Sequence, residues 1–273
     1  MSKIRFGCQT YSWQMSYDTY AGKLPQIMRV MKESGFTGIE AEVCMMGKYF
    51  DDWAAFADLL QQYDMKYAAL ALPLNWRGKK ETDEEFALAQ KSIDYLKHFP
   101  GTILLLCHLP GEDRKNLLER QMNQIACTTE IAKRAKGAGI ITAFHPNSSF
   151  GSAFRTREDY DLLLDSIAGT DLGYCPDAGH IAHGDMDPVE IIRDYAPMVK
   201  HVHFKDMNSE GIWESMGQGC INFPQIVHDL DKADYSGWIM VEEESAAAQL
   251  DPNRVTRENG IYLKTHFDIS EEE

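Results

Sequence analysis

Eight short apolar segments alternate with longer amphipathic segments along the 273-residue chain, and this alternation constrains the fold more than any other feature. Each apolar segment is rich in aliphatic or aromatic residues and has the length of a strand. The eight predicted strands are residues 5–10, 38–42, 67–72, 102–107, 140–145, 172–177, 199–205 and 238–242. Strands that alternate with helices form a parallel sheet with the helices packed outside it.

Start and stop signals place a helix between most of these strands. Thr82 precedes three acidic residues, and Asp187 precedes Pro188, so each can cap a helix that starts directly after it. Gly35 and Gly139 follow amphipathic segments, as is typical of the residue that ends a helix.

Eight such units follow one another without a linker or a shift in composition. They predict an α/β fold, a single (β/α)8 TIM barrel over residues 1–267, with an acidic tail at 268–273. A doubly wound open sheet is the alternative. The chain has no G-x-G-x-x-G after its first strand and no G-x-x-x-x-G-K-S/T, so a nucleotide site has no support.

The net charge and the cysteine pattern indicate which partners and which cellular compartment to expect. Lys and Arg number 27 against 42 Asp and Glu, so the net charge of −15 repels phosphate backbones and anionic lipids, and we expect no nucleic-acid or membrane partner. Apolar runs fall far short of the roughly 20 residues that a membrane-spanning helix needs. The six cysteines form no CxxC pair, and the N-terminus lacks a signal-peptide pattern. We therefore expect reduced thiols in a cytoplasmic protein.

Polar side chains end the later strands, at the edge where a TIM barrel carries its active site. Asp177, His203 and Glu242 fall at the ends of three consecutive strands. Because side chains alternate along a strand, His201, His203 and Lys205 share one face. Imidazole combined with carboxylates suits manganese, cobalt, zinc or iron better than calcium. These residues indicate a metal site, with a hydrogen-bonded core role as the alternative for each.

Four stretches of the chain carry a resemblance to a known family. They are Gly-Phe-Thr-Gly-Ile-Glu at 35–40, Asp-Ala-Gly-His at 177–180, His-Val-His-Phe-Lys-Asp at 201–206 and Tyr-Ser-Gly-Trp at 235–238. With them the chain resembles, over almost its whole length, the sugar isomerase/epimerase superfamily of xylose-isomerase-like barrels. The resemblance implies a divalent metal held by Asp177, His203, Glu242 and a strand-five side chain, with His180 beside the substrate.

The fifth strand departs from the pattern of the epimerases in that superfamily. Where they carry a metal-bound Glu, this chain has His145, so only Glu242 matches the pair of glutamates that removes and returns a proton on opposite faces of a ketose. The run His-Pro-Asn-Ser at 145–148 is more similar to inosose dehydratases and to the barrel subunits of C-glycoside deglycosidases, which are 3-keto-glycoside lyases. We interpret His145 as the fourth ligand or as the catalytic base, against a structural role in its loop.

Three further residues are candidates for contacts with the substrate. Lys205 can neutralise an enolate oxygen, or simply pair with Asp206 or Glu242. Arg155 can grip substrate oxygens through its planar guanidinium, or lie in solvent at the start of a helix. His108 follows the fourth strand and either faces the pocket or supports the structure.

The sequence thus predicts an enzyme dependent on a divalent metal, manganese first, with cobalt, zinc or iron as alternatives. Its expected reaction starts with removal of a proton next to the carbonyl of a keto sugar or cyclitol. Isomerisation, epimerisation and β-elimination, the last by an inosose dehydratase or a 3-keto-glycoside lyase, all begin this way. A small-molecule sugar is the expected partner. The expected assembly is a homo-oligomer or, if the chain is a deglycosidase, a complex with a small β-rich subunit. The rivals are an abasic-site endonuclease, which the charge disfavours, and a noncatalytic barrel.

Overall fold

The computed structural model describes residues 3–267, and the predicted acidic tail at 268–273 lies outside the described residues. The strands are β1 (Arg5–Gln9), β2 (Gly38–Glu42), β3 (Lys66–Leu74), β4 (Ile103–His108), β5 (Thr142–His145), β6 (Leu172–Tyr174), β7 (Val202–Phe204), β8 (Asp206–Met207), β9 (Trp213–Glu214) and β10 (Trp238–Val241).

Helices follow the strands. The α-helices are α1 (Tyr11–Gln14), α2 (Tyr17–Tyr20), α3 (Leu24–Glu33), α4 (Val43–Met46), α5 (Trp53–Gln62), α6 (Asp83–Leu96), α7 (Leu117–Gly137), α8 (Arg157–Ile167), α9 (Ala178–His183), α10 (Pro188–Asp194), α11 (Phe223–Lys232), α12 (Ala246–Leu250) and α13 (Pro252–His266). Short 3-10 helices cover Gly47–Phe50 and Ala196–Met198. Within residues 3–267, no helix combines the length and the apolar character needed to cross a bilayer.

Eight parallel strands form one sheet in the order β6-β5-β4-β3-β2-β1-β10-β7. Parallel bridges between Tyr174 and Val199 and between Asp177 and His203 join its two outer strands. Because these bridges connect β6 to β7, the sheet closes on itself. The predicted TIM barrel is therefore confirmed, and the open doubly wound sheet is wrong.

Strand bounds differ most from the prediction where the ring closes. Residues 172–177 and 199–205 were expected as strands, but β6 and β7 have three residues each. Pro176 lies in the first of these segments and has no N–H to donate to a ladder. Its carbonyl still accepts the backbone N–H of His203 at 2.8 Å, so the closure consists of isolated bonds instead of a continuous ladder.

The predicted helix signals form as expected. Thr82 accepts the N–H of Glu85 at 3.2 Å while the Glu85 carboxylate accepts the N–H of Thr82, which is a capping box at the start of α6. Asp187 caps α10 by accepting the N–H of Val189 at 2.9 Å. Gly35 follows α3 with a φ of 93°, a conformation that glycine adopts without strain.

Side chains alternate between the helix layer and the inside of the barrel. Phe204 of β7 packs against Phe223 of α11, with ring centroids 4.5 Å apart, so side chains of the opposite parity on β7 point inward. A small apolar cluster fills the inner face of the sheet around Leu105; its other members are Ala69, Ala71, Ile103, Ala143 and Cys175. This packing leaves the polar side chains at the carboxyl ends of the strands.

A hairpin made of β8 and β9 lies beside that end of the barrel. Asp206 anchors the segment, because its carboxylate accepts the backbone N–H groups of Met207, Gly217, Gly219 and Ile221. The hairpin carries Trp213, whose ring centroid lies 5.4 Å from the ammonium nitrogen of Lys205.

Candidate metal centre

Four buried side chains converge at the carboxyl ends of the last four barrel strands. His145 is the final residue of β5, Asp177 is the N-cap of α9 after β6, His203 is the middle residue of β7, and Glu242 follows β10. One ligand atom from each lies within 4.8 Å of all the others. The structure therefore brings together the four residues that were predicted to bind a metal.

The distances describe a compact polar centre. His203 Nδ1 lies 2.7 Å from Glu242 Oε2 and 3.9 Å from Asp177 Oδ2, and His145 Nε2 lies 3.5 Å from Asp177 Oδ2. Two lone pairs at 2.7 Å repel each other, so a proton or a cation is needed between His203 Nδ1 and the Glu242 carboxylate.

The hydrogen bonding of these atoms tests whether the centre fits a metal. His145 Nε2, Asp177 Oδ2 and His203 Nδ1 are buried and make no hydrogen bond of good geometry, although His203 Nδ1 lies only 2.7 Å from Glu242 Oε2. A buried polar atom without a partner costs about 1–3 kcal/mol. One ligand atom of each residue lies within 4.8 Å of the others, so a single cation can satisfy all three. Two imidazoles with two carboxylates form a donor set that transition metals prefer. The residues fit a divalent cation.

Glu40 holds His203 from the side opposite the centre. Its Oε2 lies 3.0 Å from His203 Nε2 and 2.7 Å from His201 Nε2, and all three residues are buried. Donation of the Nε2 proton to Glu40 leaves His203 Nδ1 as the atom that can bind a metal. Burial opposes charge on both groups, yet His203 and His201 lower the pKa of Glu40 to about 2, and Glu40 with Glu242 raises the pKa of His203 to about 10.

Lys205 adds a buried positive charge beside the centre. Its Nζ lies 2.7 Å from Glu242 Oε1 and 3.5 Å from Asp177 Oδ2, and it also contacts Glu244 Oε1. Burial works against the ammonium, but Asp177, Glu242 and Glu244 raise its pKa well above the usual value. Lys205 is therefore charged and pairs with Glu242, whereas Asp206 is occupied by backbone N–H groups.

The residues after β10 settle which glutamate faces the centre. Glu243 points the other way, where its carboxylate accepts the N–H of Ser245 at 2.9 Å and the amide of Asn259 at 3.0 Å. Glu242 therefore belongs to the centre, as the alternation along the strand predicts.

His180 lies against Lys205, with 3.1 Å between its Nε2 and the lysine Nζ. Its backbone N–H donates to Asp177 Oδ1 at 2.8 Å, which fixes the start of α9 next to the centre. Burial and the charge of Lys205 lower the pKa of His180 well below the usual value, so the ring is neutral. A contact between His180 and substrate, which the resemblance implies, stays a prediction.

The structure does not bring His108 and Arg155 into the four-residue centre. The His108 ring stacks on Phe144, and its Nε2 accepts the N–H of Asn147 at 3.3 Å. Burial lowers the pKa of His108 to about 3. Its Nδ1 is buried without a partner, so a contact between His108 and substrate stays a prediction. Within residues 3–267 the Arg155 guanidinium has no hydrogen bond or ion pair to the centre. Burial lowers the pKa of His183, and the charge of Arg155 lowers it further.

Several residues around the centre were missed or misread in the sequence. The contact of Glu40 with His201 and His203 was not predicted. Ser148 and His183 had no assigned role, although each lies three residues from a predicted site residue. The shared face of His201 and His203 was the available signal, because two buried imidazoles on one face need a buried acceptor.

Comparison with known proteins gives a consistent family and fold. The sequence model of the family described as xylose isomerase-like TIM barrel matches residues 28–266. The rhizopine catabolism protein MocC of Rhizobium meliloti is 26% identical, over 84% of this chain and 77% of its own. An inosose dehydratase of Clostridium beijerinckii is 29% identical, over 96% of this chain and 97% of its own.

Among solved structures, the IolI protein with a bound zinc atom superposes with a TM-score of 0.76 at 15% identity. The superposition covers 97% of this chain and 99% of that one. At this identity the likeness concerns the fold.

Proposed function

Because the chain belongs to the xylose isomerase-like TIM barrel family, we propose that it is a metal-dependent dehydratase of a keto sugar or cyclitol. The observation that carries the proposal is the convergence of three unpartnered polar atoms, on His145, Asp177 and His203, with Glu242 beside a charged lysine. This arrangement suits an enzyme that stabilises negative charge on an oxygen while a neighbouring carbon loses its proton.

In this proposal His145, Asp177, His203 and Glu242 hold a divalent cation, manganese first, with cobalt, zinc or iron as alternatives. A divalent cation supplies Lewis-acid polarisation of the substrate carbonyl when it is bound. The Lys205 ammonium adds a second positive charge for the developing enolate oxygen. Glu242 or His145 takes the proton from the carbon next to the carbonyl.

The residue at the end of strand five favours elimination over epimerisation. The epimerases that the chain resembles use two carboxylates on opposite faces of the substrate, and β5 ends in His145 where one of them would lie. After the proton is removed, the electron pair of the former carbon–hydrogen bond can form a carbon–carbon double bond while the bond to a β hydroxyl breaks. The leaving hydroxide takes up the proton that the base removed and departs as water, so the substrate loses one molecule of water and the base is regenerated. His180, Arg155 and His108 are the side chains that we propose to orient substrate oxygens.

The named relatives support this assignment, since the chain matches inosose dehydratases along most of its length. The substrate is then a small molecule, and the location is cytoplasmic. We also propose that the chain forms a homo-oligomer. A small β-rich partner subunit is proposed only for the case in which the chain cleaves glycosides.

Incubation with an inosose, ketoses and 3-keto glycosides in the presence of manganese, followed by mass spectrometry, tests the proposal. Loss of water from an inosose is the expected result, and chelator-treated protein is the control. An unchanged mass with altered stereochemistry would instead identify an isomerase or epimerase, and loss of an aglycone a deglycosidase. No change in any substrate by metal-loaded protein would contradict enzymatic activity of this class.

A further inference from the structure

The terminal nitrogen of Lys205 is enclosed by side chains of the kind that bind metals. Lys205 Nζ lies 2.7 Å from Glu242 Oε1 and 3.1 Å from His180 Nε2, and it also contacts Glu244 Oε1. Asp177 Oδ2 lies 3.5 Å from the same nitrogen. Lysine usually extends its end to water, but this side chain is buried. Carboxylates combined with an imidazole are a donor set that transition metals prefer.

The atoms around Lys205 Nζ form a group of their own. One ligand atom each of His180, Glu242 and Glu244 lies within 4.8 Å of the other two, which is the spacing that the four-residue centre also shows. His180 Nε2 and Glu244 Oε1 are 3.9 Å apart. These residues therefore have the spacing to hold a cation at the position that Lys205 Nζ occupies.

Glu242 belongs to both groups. Its Oε2 lies 2.7 Å from His203 Nδ1 in the four-residue centre, and its Oε1 lies 2.7 Å from Lys205 Nζ. Enzymes that use two metal ions hold them about 3.5–4 Å apart, a separation that a single carboxylate spans. The two positions therefore lie side by side, as in a two-metal site.

The two positions differ in what fills them. In the four-residue centre, His145 Nε2 and Asp177 Oδ2 make no hydrogen bond of good geometry. In the second position, Glu242 Oε1 and Glu244 Oε1 both accept hydrogen bonds from Lys205 Nζ. The first position therefore needs a ligand from outside the chain, whereas the second is filled by the chain itself.

Packing holds the Lys205 side chain in place. Gly179 of α9 lies directly against its stem, because a Cβ added at position 179 would lie 2.8 Å from Lys205 Cβ. The ring centroid of Trp213 lies 5.4 Å from Nζ. The helix α9 and the β8–β9 hairpin therefore confine the nitrogen to the second position.

We propose that Lys205 fills a second cation site, so that the centre binds one divalent ion. The side chains of that second site are Asp177, His180, Glu242 and Glu244. The inference rests on the proposed function and deepens it, because Lys205 then limits the number of ions in the centre. Removal of the lysine side chain should let a second zinc or manganese ion bind in its place.

Counting the bound ions tests this inference without a substrate. The full chain is loaded with excess zinc, freed of loosely held ions by gel filtration and measured by elemental analysis, with circular dichroism as the check on folding. We expect one zinc ion per wild-type chain and two per chain of Lys205→Ala. The double variant Lys205→Ala/His180→Ala should return to one ion, and Lys232→Ala, at an exposed lysine of α11, should keep one. Equal counts in the wild type and in folded Lys205→Ala would overturn the proposal.

Electron paramagnetic resonance of the manganese-loaded chain shows whether the ions are neighbours. An isolated Mn²⁺ ion gives the hyperfine pattern of one manganese nucleus, whereas two adjacent ions couple and give a different spectrum. We expect the isolated pattern in the wild type and the coupled spectrum in Lys205→Ala, with Lys205→Ser as the second variant if the alanine variant does not fold. A coupled spectrum from the wild-type protein would refute the proposal whatever either variant shows.

The outcomes separate this inference from the proposed function. The ion count of the wild type tests the metal dependence of the proposed function, and the difference between the wild type and Lys205→Ala tests the role of Lys205. A wild type with one ion that converts no substrate would count against the proposed function, and the ion counts would still decide the second site. A wild type without an ion, together with one ion in Lys205→Ala, would contradict the metal-dependent function and support the second site.

Discussion

The two halves of the barrel bury their inner side chains equally well but use opposite chemistry. On the inner face of β3 and β4, Ala69, Ala71 and Leu105 are apolar and fully or almost fully buried. At the ends of the later strands the buried side chains include His203 and Glu242. The first half gains stability from packing, while the second half carries buried charge that needs partners to be tolerated.

Glu40 is the exception that connects the halves. It belongs to β2, in the first half, yet its carboxylate reaches His201 and His203 on β7. The comparison therefore teaches that packing dominates the inner face of β3 and β4 and buried charge the ends of the later strands, although β5 contributes to both through Ala143 and His145. Substitutions in each half should have separable effects on folding and on metal binding.

The largest effect is expected from loss of a candidate ligand. His203→Ala removes the nitrogen that lies between two carboxylates, so metal affinity should fall by about 100-fold or more, beyond the range for an outer partner. Elemental analysis of the purified variant measures this loss, and circular dichroism checks the fold. His228→Ala, an exposed histidine of α11, is the matched control. Unchanged metal content in His203→Ala would refute its role as a ligand.

In the apolar half, Leu105→Ala should lower the free energy of unfolding by about 3 kcal/mol, because it leaves a cavity among buried neighbours. Urea titration measures the change. Leu118→Ala, at a leucine 63% exposed on α7, should have little effect on stability. If the folded Leu105→Ala protein binds metal as tightly as the wild type, the division between the halves stands; a parallel loss of metal would break it.

His145→Ala should lower kcat by about 100-fold, the range for a group that transfers a proton, while KM changes less. Steady-state kinetics on the inosose or other active substrate gives both constants. His98→Ala, at an exposed histidine, is the control. Full retention of kcat would leave His145 with a structural role only.

The smallest effect is expected at the connection between the halves. Glu40→Gln keeps the size of the side chain but removes the charge that fixes His203, so metal affinity should fall by about 10-fold. The pKa of His203 should fall as well, because Glu40 raises it. Metal titration and NMR of the imidazole measure these changes against Glu84→Gln on the surface of α6. Wild-type affinity would show that the tautomer of His203 is set elsewhere.

The fold was largely accessible from the sequence because its signals are local. Alternating periodicity located all eight barrel strands, and Thr82 and Asp187 marked helix starts correctly. The bounds of β6 and β7 were not accessible. They depend on bonds such as that between the His203 N–H and the Pro176 carbonyl, which exist only once the ring closes.

The site was accessible only in part, for the same reason. Asp177 and Glu242 stand at strand ends, where topology predicts that side chains meet. Glu40 lies 163 residues from His203 in the chain, and its contact appears only when β2 and β7 face each other across the barrel. The hydrogen bonds between Ser148 and the rings of His180 and His183 likewise join the loop after β5 to the helix α9, and periodicity does not pair these segments.

The anchoring of the β8–β9 hairpin by Asp206 has a practical consequence. The carboxylate holds the backbone at 207 and again at 217, 219 and 221, on either side of the exposed residues Ser209 and Glu210. A dye attached at Ser209, or a longer turn inserted there, would sit on a tethered rim close to Trp213. This turn is therefore a suitable attachment site for a fluorescent label that reports ligand binding.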